Sequence, residues 1–310
     1  MNSLEGFITG PLVYIALAVF TIVTAYKVHS IVTMPRHLRW DLYPVPHQGP
    51  EGSKYQKVDF YQLPKHASLF HELKEMGEEI LFIKRAFVNN RKLWYGSYLL
   101  HLGFYAGTVW LVLLLTGAVM ELSGVQIGTV GGFAGLIHYL TVASGAVSLT
   151  LGLTGTAWLF IMRTTDEHMQ TISDATSFIN LGLMFLLFGT GFAAWMIADP
   201  SFAMLREQIT GILTFSSKPV GDSLIAWQIF WFCMFMIYLP FSRMLHFVAK
   251  YFFYHTIMWD DEALKAGSAM EKDITGYLGY SVEWSARHIK TSGNWVEQVS
   301  SRPEREGDKK

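Results

Sequence analysis

The sequence predicts an all-α integral membrane protein with five transmembrane helices, its N-terminus outside and its C-terminus cytoplasmic. Three observations predict it. Of 310 residues, 51% are hydrophobic and only 16% are charged, a balance too apolar for an ordinary soluble domain. Apolar runs recur that approach the roughly 20 helical residues needed to cross about 30 Å of hydrocarbon. Lysine and arginine then fall almost wholly on one side of those runs, the side retained in the cytoplasm.

The first run, "PLVYIALAVFTIVTAY", extends from Pro11 to about Tyr26 and is bounded by Lys27. Its flank "MNSLEG" has no basic residue, and no small-residue cleavage site follows, so an uncleaved span is expected rather than a secretory signal. The second run covers Ser97 to Met120 and the third about Gly132 to Met162. The fourth covers Ala175 to Ala198 and the fifth Ser223 to about Ala249. Eleven basic residues lie between Lys27 and Lys92, Arg163 follows span three, and ten lie from Arg243 onward. The opposite side has only Arg206 and Lys218, which sets the orientation.

The long first inner loop has two parts. "MPRHLRWDLYPVPHQGPEGSKYQ" is rich in Pro, Gly and aromatic residues and reads as irregular chain on the membrane surface or on a partner. "HASLFHELKEMGEEILFIKRAFVNNRKL" carries Leu69, Leu73, Met76, Ile80, Ile83 and Phe87 at alternating four- and three-residue spacing, a helical pattern expected to pack on the inner end of the bundle. A sensor of anionic lipid would be more uniformly basic. On the outside, "DPSFAMLREQITGILTFSSKPVGD" has room for one short helix. The organisation is a five-span membrane domain over residues 1–255, with a cytoplasmic insertion at 27–94, and a cytoplasmic tail over 256–310 for partner docking. In that tail Trp259, Trp284 and Trp295 stand among mixed charges, and "SSRPEREGDKK" has the composition of solvated chain.

Composition also excludes. A net charge of -1 leaves no surplus of positive charge for nucleic acid. The single cysteine, Cys233, excludes internal disulfides, covalently attached c-type haem and any iron-sulfur cluster held by this chain alone. No paired carboxylates, nucleophile with base, phosphate-binding glycine loop or zinc motif points to hydrolysis or group transfer. His37, His47, His66, His71, His168, His255 and His288 lack metal-ligand spacing and read as solvated or interface residues.

Ionisable residues within spans are costly and mark candidate sites. His101 lies in span two, about 13 Å of helix beyond Lys92. His246 lies near the inner end of span five, so both imidazoles fall in the inner leaflet. His138, at the start of span three, lies toward the outer side. Two imidazoles at matched depth suit a six-coordinate haem iron; the alternative is a pair of residues that hydrogen-bond between helices. Gly103 and Gly107, four apart, allow a helix backbone or a flat cofactor to approach span two. Arg243, three residues before His246, has the forked donors for a haem propionate, or can snorkel to the interface. Pro240 removes a backbone donor and permits a bend there.

The stretches "GSYLLHLGFYAG" and "LPFSRMLHF" resemble the two haem-bearing segments of the gamma subunit of respiratory nitrate reductase, a five-span membrane cytochrome b family. That family includes membrane subunits of the Dsr, Tmc and heterodisulfide-reductase-type complexes of sulfate reducers, and "EWSARHIKTSGNWVE" is similar to the C-terminus of the Dsr and Tmc type. The match covers all five spans in order and polarity. The long first inner loop and the tail are extra relative to nitrate reductase.

The resemblance implies a haem-binding bundle in the inner (cytoplasmic) membrane. His101 and His246 would ligate the iron of one haem b near the cytoplasm, and Arg243 would meet a propionate. It implies electron transfer between menaquinone or its quinol, or a periplasmic multihaem cytochrome c, and a cytoplasmic iron-sulfur subunit of heterodisulfide-reductase type in a respiratory complex of sulfate respiration. The family's second haem takes ligands at positions held here by Leu111 and Gln228. Leucine cannot ligate iron, so that outer haem is expected to be missing or differently held, with His138 the one histidine at its depth. The relatives' quinone site lies near that outer haem; its missing ligands shift the expected quinone pocket toward the inner one. The competing expectation is a cofactor-free membrane anchor or scaffold.

Overall fold

The computed structural model describes residues 2–33, 69–128, 131–253, 266–284 and 293–300. Within them the chain is helical, with no strand; a single bridge pairs Ser281 with Asn294. Five helices are long and apolar enough to cross a membrane: Leu4–Val32, Arg91–Leu122, Phe133–Thr165, Ala175–Ile197 and Ser223–Phe241. The chain divides into two compact units, Met1–Ala25 with Lys74–Leu245, and Tyr26–Leu73 with His246–Lys310.

Helix α1 (Asn2–Thr9) leads into α2 (Pro11–Val32), and α3 (Leu69–Phe82) into α4 (Lys84–Asn89). The single helix expected across that last region is broken at Ile83, which adopts a left-handed conformation with φ 50°. Lys84 braces the elbow at 2.8 Å from both Glu75 and Glu78. Met76 is buried, and the Tyr105 hydroxyl donates to the Ile80 carbonyl, so this part of α3 packs on the bundle as its apolar spacing predicts.

Asn90 caps α5 (Arg91–Leu122) by accepting from the Leu93 amide at 3.0 Å. Helix α6 (Phe133–Thr165) returns antiparallel to it. The contact is built on glycines. A Cβ on Gly103 would lie 2.5 Å from the Gly152 nitrogen, and one on Gly155 would lie 2.4 Å from the Leu100 nitrogen. Lipid gives no hydrophobic drive for helices to associate, so close backbone approach and packing must hold them. Ser148 adds a hydrogen bond, its hydroxyl donating to the Gly103 carbonyl at 2.8 Å.

After the short α7 (Glu167–Thr171), α8 (Ala175–Ile197) packs along α6, where the Phe188 ring fills the space a Cβ on Gly152 would need. Helix α9 (Ala203–Leu213) follows; it is the short helix expected of that loop. Helix α10 (Ser223–Tyr238) then runs back beside α8, with the Tyr238 hydroxyl donating to Asn180 at 2.8 Å. Leu114, Leu149, Phe188, Ile225 and Cys233 are buried between these helices. On the far side of α5, Val109, Val112, Leu115, Val119 and Leu122 are exposed at helical spacing. An apolar face of that kind belongs in lipid.

The expected continuation of span five to about Ala249 is corrected. The α-helix ends at Tyr238, Leu239–Phe241 and Arg243–Leu245 form 3-10 turns, and a separate helix α11 (His246–Phe253) begins. Pro240 lacks the amide an α-helix needs, so it ends the helix here rather than bending it. In the second unit, α12 (Ala269–Leu278) and α13 (Trp295–Ser300) flank a local pairing in which Val282 donates to Gly293 and Trp295 to Tyr280.

Candidate functional site

His101 sits on α5 one turn after Ser97, and its Nδ1 lies 2.7 Å from the Ser97 carbonyl oxygen. A carbonyl oxygen only accepts, so Nδ1 carries the proton and the lone pair falls on Nε2. Metal-ligating histidines are oriented by contacts of this kind, with the second nitrogen held by a carbonyl or carboxylate. Ser97 Oγ is also near, at 3.4 Å. Phe104, three residues on, stacks on Phe235 of α10 at 5.5 Å and meets Phe188 of α8 at 5.1 Å.

Gly103 and Gly107 lie elsewhere on the helix. A Cβ on Gly107 would meet the Ser148 hydroxyl at 2.8 Å, so both glycines serve the α6 interface. Of the two uses open to them, the structure assigns the approach of a helix backbone.

Arg243 Nη2 lies 2.8 Å from Asp174 Oδ2. Asp174 is the N-cap of α8 and accepts from the Ser177 amide at 2.8 Å and the Ser177 hydroxyl at 2.7 Å. Those hydrogen bonds, with the Arg243 charge behind them, hold the Asp174 carboxyl below its ordinary range. Sequence reasoning missed this partner, although an aspartate directly before an apolar helical run, with its cap hydrogen bond three residues on, carries the N-cap signature. His246 is the first residue of α11 and is exposed. His101 and Arg243 belong to the first unit and His246 to the second.

At the positions of the second haem in the resembling family, Leu111 is 39% exposed on α5. Gln228 is buried on α10, where a Cβ on Gly191 would come within 3.3 Å of its amide nitrogen. His138 Nδ1 is buried with no hydrogen-bond partner among the described residues. No three His, Cys, Asp or Glu residues converge to hold a metal ion among the described residues. His168 is exposed. His37, His47, His66, His255, His288, Trp259, the irregular part of the first inner loop and "SSRPEREGDKK" lie outside the described residues, as does the His71 side chain. Trp284 and Trp295 meet edge to face at 6.3 Å.

The loop after α8 carries a second polar constellation that sequence reasoning used only to orient the chain. Asp199 is buried and accepts from the amides of Ala203 and Met204 at 2.8 Å each, tying down the start of α9. Arg206 is 5% exposed and donates from Nε to Glu121 at 2.7 Å. Gln208 is buried and reaches the Thr9 carbonyl at 2.5 Å. Comparison of the chain with family models, curated proteins and solved structures gives no match.

Proposed function

We propose that this chain is the b-type cytochrome membrane subunit of a multi-subunit respiratory redox complex in the inner membrane. It passes electrons between menaquinone or its quinol, or a periplasmic cytochrome c, and a cytoplasmic iron-sulfur subunit. The observation that carries the reading is His101, an imidazole within a membrane-spanning helix whose Nδ1 is bonded to the Ser97 carbonyl at 2.7 Å. That bond selects the tautomer able to donate an Nε2 lone pair to iron.

The residues fit haem b in donor type. His101 and His246 are the imidazoles that would hold it, and the haem would supply one-electron iron chemistry between quinone and cluster. Arg243, paired with Asp174 at 2.8 Å, is the cation that would meet a propionate. Asp174 holds the guanidinium in place at the end of α8. Leu111 offers no donor atom, which supports one haem rather than two. The tail, with Trp284 and Trp295, is the docking element for the iron-sulfur subunit.

A reduced-minus-oxidised visible spectrum of the purified chain tests this. The expected result is a b-type Soret and alpha band, a haem-to-protein ratio near one, and loss of the main signal in both His101→Ala and His246→Ala. An unchanged spectrum in both variants would overturn the ligand assignment. A specific observation favours a second reading, a cofactor-free anchor. The Ser97–His101 bond lies within one helix and Arg243 has an ion-pair partner, so both residues have structural work without haem. A purified chain with no haem band, from cells that load other b cytochromes, supports the anchor.

A further inference from the structure

Four buried side-chain polar atoms find no hydrogen-bond partner among the described residues: Thr24 Oγ1, Trp110 Nε1, His138 Nδ1 and Arg206 Nη1. The last three share one seam. Contacts between α5 and α6 keep a constant antiparallel register, with Leu100 facing Gly155, Gly103 facing Gly152, Gly107 facing Ser148 and Trp110 facing Gly145. Continued by two turns, that register sets Gly117 level with His138. A Cβ on Gly117 would lie 2.8 Å from Arg206 Cδ, so Arg206 of α9 enters at the same level. His138 is one heptad before Gly145 and so lies on the α6 face turned to α5. Phe202, at the start of α9, packs on Trp110 at 4.8 Å and closes the lower end.

The three atoms therefore span two turns of α5, about 10 Å. Glu121, one turn further, accepts from Arg206 Nε at 2.7 Å and is 28% exposed, so it joins the seam to the surface of the unit. Buried polar groups in proteins are nearly always hydrogen-bonded, and where protein supplies no partner, ordered water does. Arg206 Nη1 and Trp110 Nε1 only donate, whereas an imidazole nitrogen donates or accepts by tautomer. Water is the small ligand that meets all three.

We propose that the α5–α6–α9 seam holds a short file of water molecules running from Glu121 to the level of Trp110, with the His138 imidazole as the member able either to donate or to accept. Arg206 and Glu121 face the seam from α9 and α5, and Tyr139 adjoins His138 with ring centroids 5.3 Å apart. This inference does not depend on haem.

Hydroxyl-radical footprinting of the full chain in nanodiscs, read by mass spectrometry, tests it. Trp110 should be oxidised several-fold faster than Phe188, also buried, after correction for intrinsic reactivity and exposure. His138→Phe and Arg206→Met should each reduce Trp110 labelling several-fold, and Arg206→Lys should restore it. The Trp110 indole N–H should exchange with deuterium within minutes in wild type and more slowly in His138→Phe. Labelling of Trp110 no faster than Phe188, or an indole proton protected for days, would overturn the proposal. If Arg206→Met fails to fold, His138→Phe, which leaves the Arg206–Glu121 pair intact, decides it.

Discussion

Replacing Gly103 by alanine isolates what holds α5 to α6. The added Cβ would lie 2.5 Å from Gly152 N, 2.6 Å from Gly152 Cα and 3.1 Å from the Ser148 carbonyl oxygen. All three are backbone atoms, so no flexible side chain can yield. Restoring van der Waals contact requires the helices to separate by about 1 Å. That stretches the 2.8 Å Ser148–Gly103 hydrogen bond beyond useful length. Overpacking costs about 1–3 kcal/mol and the lost bond about 0.5–1.5 kcal/mol, giving a destabilisation of about 2–4 kcal/mol. The control is Gly182→Ala in α8, where an added Cβ meets nothing within 4 Å. There the better helix propensity of alanine makes the change neutral to stabilising, by up to about 1 kcal/mol. Unfolding of both variants by SDS titration in mixed micelles measures the difference. Gly103→Ala as stable as Gly182→Ala would refute the argument that backbone contact, rather than side-chain packing, defines this interface.

Asp174→Asn keeps an oxygen to cap α8 but removes the charge beside Arg243. A carboxyl whose folded pKa is depressed stabilises above its unfolded value and loses that contribution as pH falls through the folded one. The thermal midpoints of wild type and Asp174→Asn should therefore differ at pH 6 and converge below about pH 4; a gap independent of pH would contradict the carboxylate's role. Phe202→Ala removes a ring 1% exposed and packed on Trp110 and Trp195, at an expected cost of about 3–5 kcal/mol in the same SDS titration. Phe202 has φ 54°, and alanine bears the same backbone strain, so a loss under about 1 kcal/mol would show that packing at this ring is not what fixes α9.

What the sequence made legible was local. Twenty-residue apolar runs fix spans because bilayer thickness fixes their length, and His101 follows Ser97 at the i, i+4 spacing that brings its ring to a backbone carbonyl. Hydropathy misjudged span five because "LPFSRMLHF" stays apolar while Pro240 silently removes a hydrogen bond, and only the hydrogen-bond ladder registers that loss. The unseen features need residues far apart in the chain. Gly103 meets Ser148, 45 positions on, and Arg206 meets Glu121, 85 positions back. A charge count used Arg206 only to orient the chain, because its partner Glu121 lies in another segment. The same distinction makes the two histidine replacements unequal tests. The orientation of His101 is set within one turn of one helix, so His101→Ala probes a local arrangement already in place. His246 begins a separate helix after the break at Pro240, and its role rests on the resemblance of "LPFSRMLHF". Retention of a b-type spectrum in His246→Ala alone would keep the haem and require a different second ligand.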